Sequence, residues 1–131
     1  MTLTVLEGRY SVCRLEASAT IPSWARDGAF LSVTRTDDEL SIVCPQDAIP
    51  PALQAESDFR ILKVEGPLDF SLTGLLANLS STLAAAKISI FALSTFDTDY
   101  ILVRHDDLSA AQAALTAAGH TLNRQPSTDN R

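Results

Sequence analysis

Glu65-Gly66-Pro67-Leu68-Asp69-Phe70-Ser71-Leu72-Thr73-Gly74-Leu75-Leu76 and Ile88-Ser89-Ile90-Phe91-Ala92-Leu93-Ser94-Thr95-Phe96-Asp97-Thr98-Asp99-Tyr100-Ile101-Leu102-Val103 decide the fold. A strand over 59–65 enters a Gly-Pro turn. From Asp69 the period changes: Leu72, Leu75, Leu76, Leu79 and Leu83 recur at helical spacing. Asp69 is the expected N-cap, and the helix closes over 83–87 with alanines and a final lysine. Residues 88–95 and 99–105 read as two strands joined by a polar turn. A second helix follows from Asp106 to Gly119, capped by Asp106 or Asp107. It carries a stripe of Leu108, Ala111, Leu115 and Ala118, and Gly119 is its stop. His120-Thr121-Leu122 adds a last short strand. Residues 124–131 are polar, contain Pro126, and read as a flexible tail.

Working back toward the N-terminus, Tyr10 to Glu16 alternate as a strand does. Pro22 and Gly28 confine the segment around Trp24 to a short helix at most. Strands over 30–36 and 40–44 flank Asp37-Asp38-Glu39, a hairpin with an acidic turn. Leu40, Ile42 and Cys44 share one face. Pro45 stops the second strand, and 49–56 is expected as a short helix with Pro50 and Pro51 in its first turn. The order strand-helix-strand-strand-helix-strand thus occurs twice, as in an internal duplication of the split βαβ unit. The expected fold is α+β: two ferredoxin-like (βαββαβ) units in tandem, with antiparallel sheets and helices on one face. Residues 1–60 form the first, partly degenerate, and 61–123 the second.

The chain has 131 residues, 46% of them hydrophobic and 6% aromatic, so its core is aliphatic. Its net charge is −6. This argues against nucleic acid, which needs clustered Lys or Arg, and against an anionic membrane surface. Met1 to Glu7 lacks a basic start and a long apolar region, so no signal peptide is read, and no apolar run reaches the ~20 residues of a membrane span. A cytoplasmic location is expected. Cys13 and Cys44 have no metal-type spacing and lie in alternating apolar runs, as buried free thiols do. His105 and His120 follow a strand and a helix-stop glycine and read as surface residues. No zinc, nucleotide or nucleophile motif is present, so neither a cofactor nor a metal is expected.

Two constellations carry chemistry. Around Gly66-Pro67-Leu68-Asp69, a helix start offers backbone N–H groups and a positive dipole end to a carboxylate. Gly66 permits close approach, and Ser71 offers a hydroxyl. On spacing alone, a plain strand-to-helix turn is the simpler account. In Ser94-Thr95-Phe96-Asp97-Thr98-Asp99, the carboxylates at i and i+2 suit an amino group or guanidinium. A polar hairpin turn explains them equally.

Together these segments resemble the ACT domains of small-molecule-sensing proteins, in particular the tandem ACT-like proteins related to the arginine sensor CASTOR. "EGPLDFSL" and "SIFALSTFDTDYILV" carry the likeness, which is strongest from Val64 to Arg104. The resemblance implies a non-catalytic regulatory module that binds a small ligand, an amino acid, at an interface between two ACT units. It also implies a homodimer, because the related sensors assemble four such units. The ligand residues it implies are Gly66, Pro67, Leu68, Asp69, Phe70 and Ser71 on the loop. On the strand and turn they are Phe91, Ala92, Leu93, Ser94, Thr95, Asp97, Thr98 and Asp99. The alternative is an interaction domain that keeps the fold and has lost the ligand.

Overall fold

The structure, a computed structural model, describes residues 1–25, 28–68 and 73–125. Its strands are β1 (Thr2–Val5), β2 (Tyr10–Leu15), β3 (Ser32–Arg35), β4 (Leu40–Pro45), β5 (Ala55–Val64), β6 (Ile90–Ser94), β7 (Asp99–Arg104) and β8 (Thr121–Arg124). Its α-helices are α1 (Leu75–Ala85) and α2 (Leu108–Ala117), and single 3-10 turns occupy Gln46–Ala48 and His105–Asp107. The chain divides into two compact units. One is residues 8–59; the other joins residues 1–7 to the chain from Arg60 onward. Residues 1–7, counted with the first unit in the sequence reading, thus group with the second.

In the 8–59 unit, β4 pairs antiparallel with both β2 and β3. The acidic turn is closed by Thr36 N–H donating to Glu39 O at 2.9 Å, while the Thr36 hydroxyl accepts from the N–H groups of Asp38 and Glu39. Leu40, Ile42 and Cys44 do share one face and form a buried cluster with Cys13 and Ala25; Trp24 packs against it, half-buried. Tyr10 and Phe30 meet edge to face, with ring centroids 6.3 Å apart.

The two helices expected in this unit are not found among the described residues. Around Trp24 there is a turn, with Ala25 N–H donating to Pro22 O. The helix expected over 49–56 is replaced by the 3-10 turn at Gln46–Ala48, an extended Ile49 (φ −86°, ψ 148°) and a further turn closed by Leu53 N–H to Pro50 O. The cause is the Pro50-Pro51 pair. A residue before proline is driven out of the α region, and Pro51 has no N–H to donate. The second unit has the same 3-10 turn after its hairpin, at His105–Asp107. With no proline behind it, that turn runs straight into α2.

The second unit is a five-stranded sheet in the order β6–β7–β5–β1–β8. The βαββαβ succession expected here is present as β5, α1, β6, β7, α2 and β8. The sequence reading contained no strand at 2–5. β1 lies antiparallel to β5, with Leu3 opposite Val64, and parallel to β8, with Leu3 beside Leu122, so the sheet is not wholly antiparallel. Both helices cover one face: Leu79 and Leu83 of α1 and Leu108, Ala111 and Leu115 of α2 share one core with Leu3, Val5, Leu62, Val64, Ile101 and Val103. Ala118, placed in the α2 stripe from sequence, is exposed. Helix α2 ends as expected, with Gly119 at φ 98° and His120 N–H bonded to Leu115 O.

Helix α1 starts later than its leucine pattern suggests. Gly74 is its N-cap, in the left-handed region at φ 82°, a conformation that stops a helix from extending backward through it. Asp69, the expected cap, lies outside the described residues, as does Leu72.

Leu83 is fully buried, so Leu83→Ala is expected to cost about 2–5 kcal/mol in urea unfolding. Burial pushes the His120 imidazole below its ordinary value of 6.5. The unfolded chain therefore takes up a proton more readily than the folded one, and stability gains as pH rises toward 6.5. In unfolding series between about pH 5 and pH 7, His120→Gln should flatten that dependence.

Candidate functional site

The structure brings the two sequence segments together. Leu68 N–H donates to Asp97 O at 2.8 Å. The Thr98 hydroxyl, on a side chain 4% exposed, donates to Val64 O at 2.6 Å. The end of β5 and the loop after it are thereby tied to the turn between β6 and β7. The turn is itself closed by Thr95 N–H to Thr98 O at 2.9 Å, with the Thr95 hydroxyl donating to the same carbonyl at 3.1 Å.

Gly66 has a different role from the one its motif suggests. A Cβ on it would meet Leu68 N at 2.9 Å, Asp97 O at 3.1 Å and Thr98 Cβ at 3.3 Å. The glycine makes room for the chain's own backbone, and the loop closes against the hairpin because no side chain intervenes.

A cavity of about 320 Å³ lies between the start of α1 and this turn. One wall is Leu68 with Gly74, Leu75, Leu76 and Ala77; the other is the run from Ser94 to Asp99. Of the residues expected from sequence, the cavity gathers Leu68, Ser94, Thr95, Asp97, Thr98 and Asp99. Gly66, Pro67, Phe91, Ala92 and Leu93 are not in its lining. Asp69, Phe70 and Ser71 lie outside the described residues. Phe96 and the first turn of α1 were not among the expected site residues. Gly74 was the available signal for that turn, since glycine also occurs at N-caps, though less often than Asp.

The two walls differ in charge. The N–H groups of Leu75, Leu76 and Ala77 belong to the first turn of an eleven-residue helix, where they have no acceptor within the helix. No side chain caps them from Gly74. That end carries the positive pole of the helix dipole. The opposite wall carries two carboxylates. The Ser94 hydroxyl donates to Asp99 Oδ1 at 2.6 Å, which fixes one oxygen of that carboxylate. Leu68, Leu75 and Leu76 add apolar surface. Such a cavity suits a small molecule with an anionic end, a cationic end and a short hydrocarbon body. Among the described residues, no three or more His, Cys, Asp or Glu side chains gather to hold a metal, and no helix is long and apolar enough to cross a membrane.

The second unit is thus a βαββαβ sheet with a cavity of small-molecule size between a helix start and a hairpin turn. The sequence model of the ACT domain matches residues 54–117, and a model of an N-terminal domain matches 8–52. Residues 54–117 thus form an ACT domain. An Agobacterium tumefaciens protein of known crystal structure is 42% identical, over 99% of this chain and 97% of its own, with a TM-score of 0.91. The bovine protein "Cytosolic arginine sensor for mTORC1 subunit 1" is 32% identical over a stretch covering 61% of this chain. That stretch is 28% of the bovine protein, so the chain matches about a quarter of that relative's length. The regulatory subunit of aspartate kinase from Thermus thermophilus, 11% identical, shares the fold with a TM-score of 0.59 over 86% of this chain and 93% of its own.

Gly66→Val forces backbone atoms apart at the loop and should cost on the order of 1–3 kcal/mol in chemical unfolding. Thr98→Val, nearly the same shape, leaves the Val64 carbonyl without its hydroxyl partner and should cost about 1–3 kcal/mol.

Proposed function

We propose that this protein is a non-catalytic sensor that binds a free amino acid between the start of α1 and the β6–β7 turn. The observation that carries the reading is the opposition of charge across one cavity. The first-turn N–H groups of α1 receive the ligand carboxylate, and Asp97 and Asp99 receive a cationic group. Gly66 and Pro67 lead into Leu68 on one wall of this site, and Phe91 to Leu93 lead into Ser94 on the other. An arginine-sensing relative and two carboxylates with no basic side chain among the described lining residues both favour a cationic amino acid.

The sensor acts by association, as a homodimer whose ACT units face each other at the ligand. Two observations support this. β6 pairs on one side with β7, and its run Ile90 to Ser94 carries no charge, unlike β3 and β8, which each end in an arginine. An uncharged strand edge with no second neighbour among the described residues is a ready surface for pairing with another chain. Phe96, 84% exposed, stands at the end of the same hairpin, on the rim of the cavity. Ligand binding then shifts the pairing by as much as its affinity differs between the two arrangements. These surface features also suit the second reading, an interaction domain that pairs without a ligand.

Thermal unfolding against a panel of free amino acids separates the two. A ligand at 100 times its Kd stabilises by roughly 2.7 kcal/mol, a shift of several degrees. One selective shift, weakened at least tenfold in affinity by Asp99→Asn, is the expected result. A flat panel from a folded protein would leave the interaction domain as the account.

A further inference from the structure

Cys13 and Cys44 stand on neighbouring strands of the 8–59 unit. Ser11 is opposite Cys44 and Cys13 opposite Ile42, so the two cysteines are diagonal neighbours on one face of the β2–β4 pair. The right-handed twist of an antiparallel pair draws one diagonal together. Both side chains belong to the same buried cluster. Both are free, and they are 1% and 0% exposed, among Ala25, Leu40 and Ile42.

From this arrangement we infer that Cys13 and Cys44 are a redox-modifiable dithiol that closes reversibly to an intramolecular disulfide. The inference is independent of the amino-acid site. Closing the bond joins two side chains of one buried cluster and needs no change of strand register. The product is neutral, so the apolar surroundings impose no charge penalty, whereas a pair of thiolates holding a metal ion would carry charge into them.

With hydrogen peroxide as the two-electron oxidant, the two S–H bonds and the O–O bond break. The S–S bond and two O–H bonds form, and two waters leave. A dithiol reductant reverses the step by two successive exchanges through a mixed disulfide.

The test is to expose the full chain to hydrogen peroxide, unfold it in the presence of an alkylating agent, and weigh it. The expected result is that both thiols are lost together, with the mass falling by two hydrogens. The rate should not depend on protein concentration, and dithiothreitol should restore both thiols. The oxidised chain should also melt several degrees higher, since the bond restricts the unfolded chain. In Cys13→Ala and Cys44→Ala, the remaining cysteine should stay alkylatable. The inference fails if both wild-type thiols remain alkylatable, if oxygen is added to a single sulfur, or if chains become linked to one another. It fails too if either single variant loses its remaining thiol as fast as the parent does. The wild-type mass decides the matter even where a variant does not fold.

Discussion

The sheet of the second unit depends on a strand from the far end of the chain. β8 has β1 as its neighbour, and β1 separates it from β5. Leu3 and Val5 are fully buried beneath the helices. Main-chain bonds run out from β1 on both sides: Glu65 N–H reaches Thr2 O, Leu6 N–H reaches Ile61 O, and Thr121 N–H reaches Met1 O. Four residues thus satisfy the backbone of two other strands and fill the floor of the core. Contacts between residues 2–5 and 121–124 span almost the whole sequence, so they carry a large loop-closure cost and form late in a chain that gathers its local contacts first.

With that floor in place, the cavity follows from two short ties. Thr98 holds the hairpin turn to the end of β5, and Asp97 O holds the loop after it. The turn therefore stands opposite the start of α1, and the carboxylates face the helix's positive end. Gly74 matters for the same reason. It ends the helix backward, leaving the first-turn N–H groups exposed to the cavity and not continued into another turn. The charges that define the site come from where elements begin and end.

That origin explains what could be read from residues alone. The hairpin at 88–105 is legible because its alternation is local and its turn polar, and α2 is legible because its stripe and its glycine stop agree. The shared face of Leu40, Ile42 and Cys44 follows from strand period alone. The strand at 2–5 is not legible: four alternating residues have no local partner, and their pairing is set by segments some sixty and a hundred and twenty residues away. At 49–56 the eye follows a position that proline tolerates in a first turn, yet two successive prolines constrain the residue before them more strongly than they favour a helix. In the candidate site, Ser94, Thr95, Asp97, Thr98 and Asp99 could be named because turn chemistry is local. The donors from Leu75 to Ala77 were missed because the leucine period extends N-terminal of Gly74, and period alone does not mark where a helix starts.

Because β1 and β5 are antiparallel neighbours, the points at which the chain leaves and re-enters the second unit lie side by side. Leu6 is bonded to Ile61, and residues 8–59 run out and back between them. In connectivity, the smaller unit is a long excursion from the tip of a hairpin. Replacing it with a turn of a few residues between Glu7 and Arg60 would leave the β1–β5, β1–β8 and β6–β7 pairings intact. Nature can thus lengthen, replace or remove that excursion while the cavity and its two walls keep the same frame.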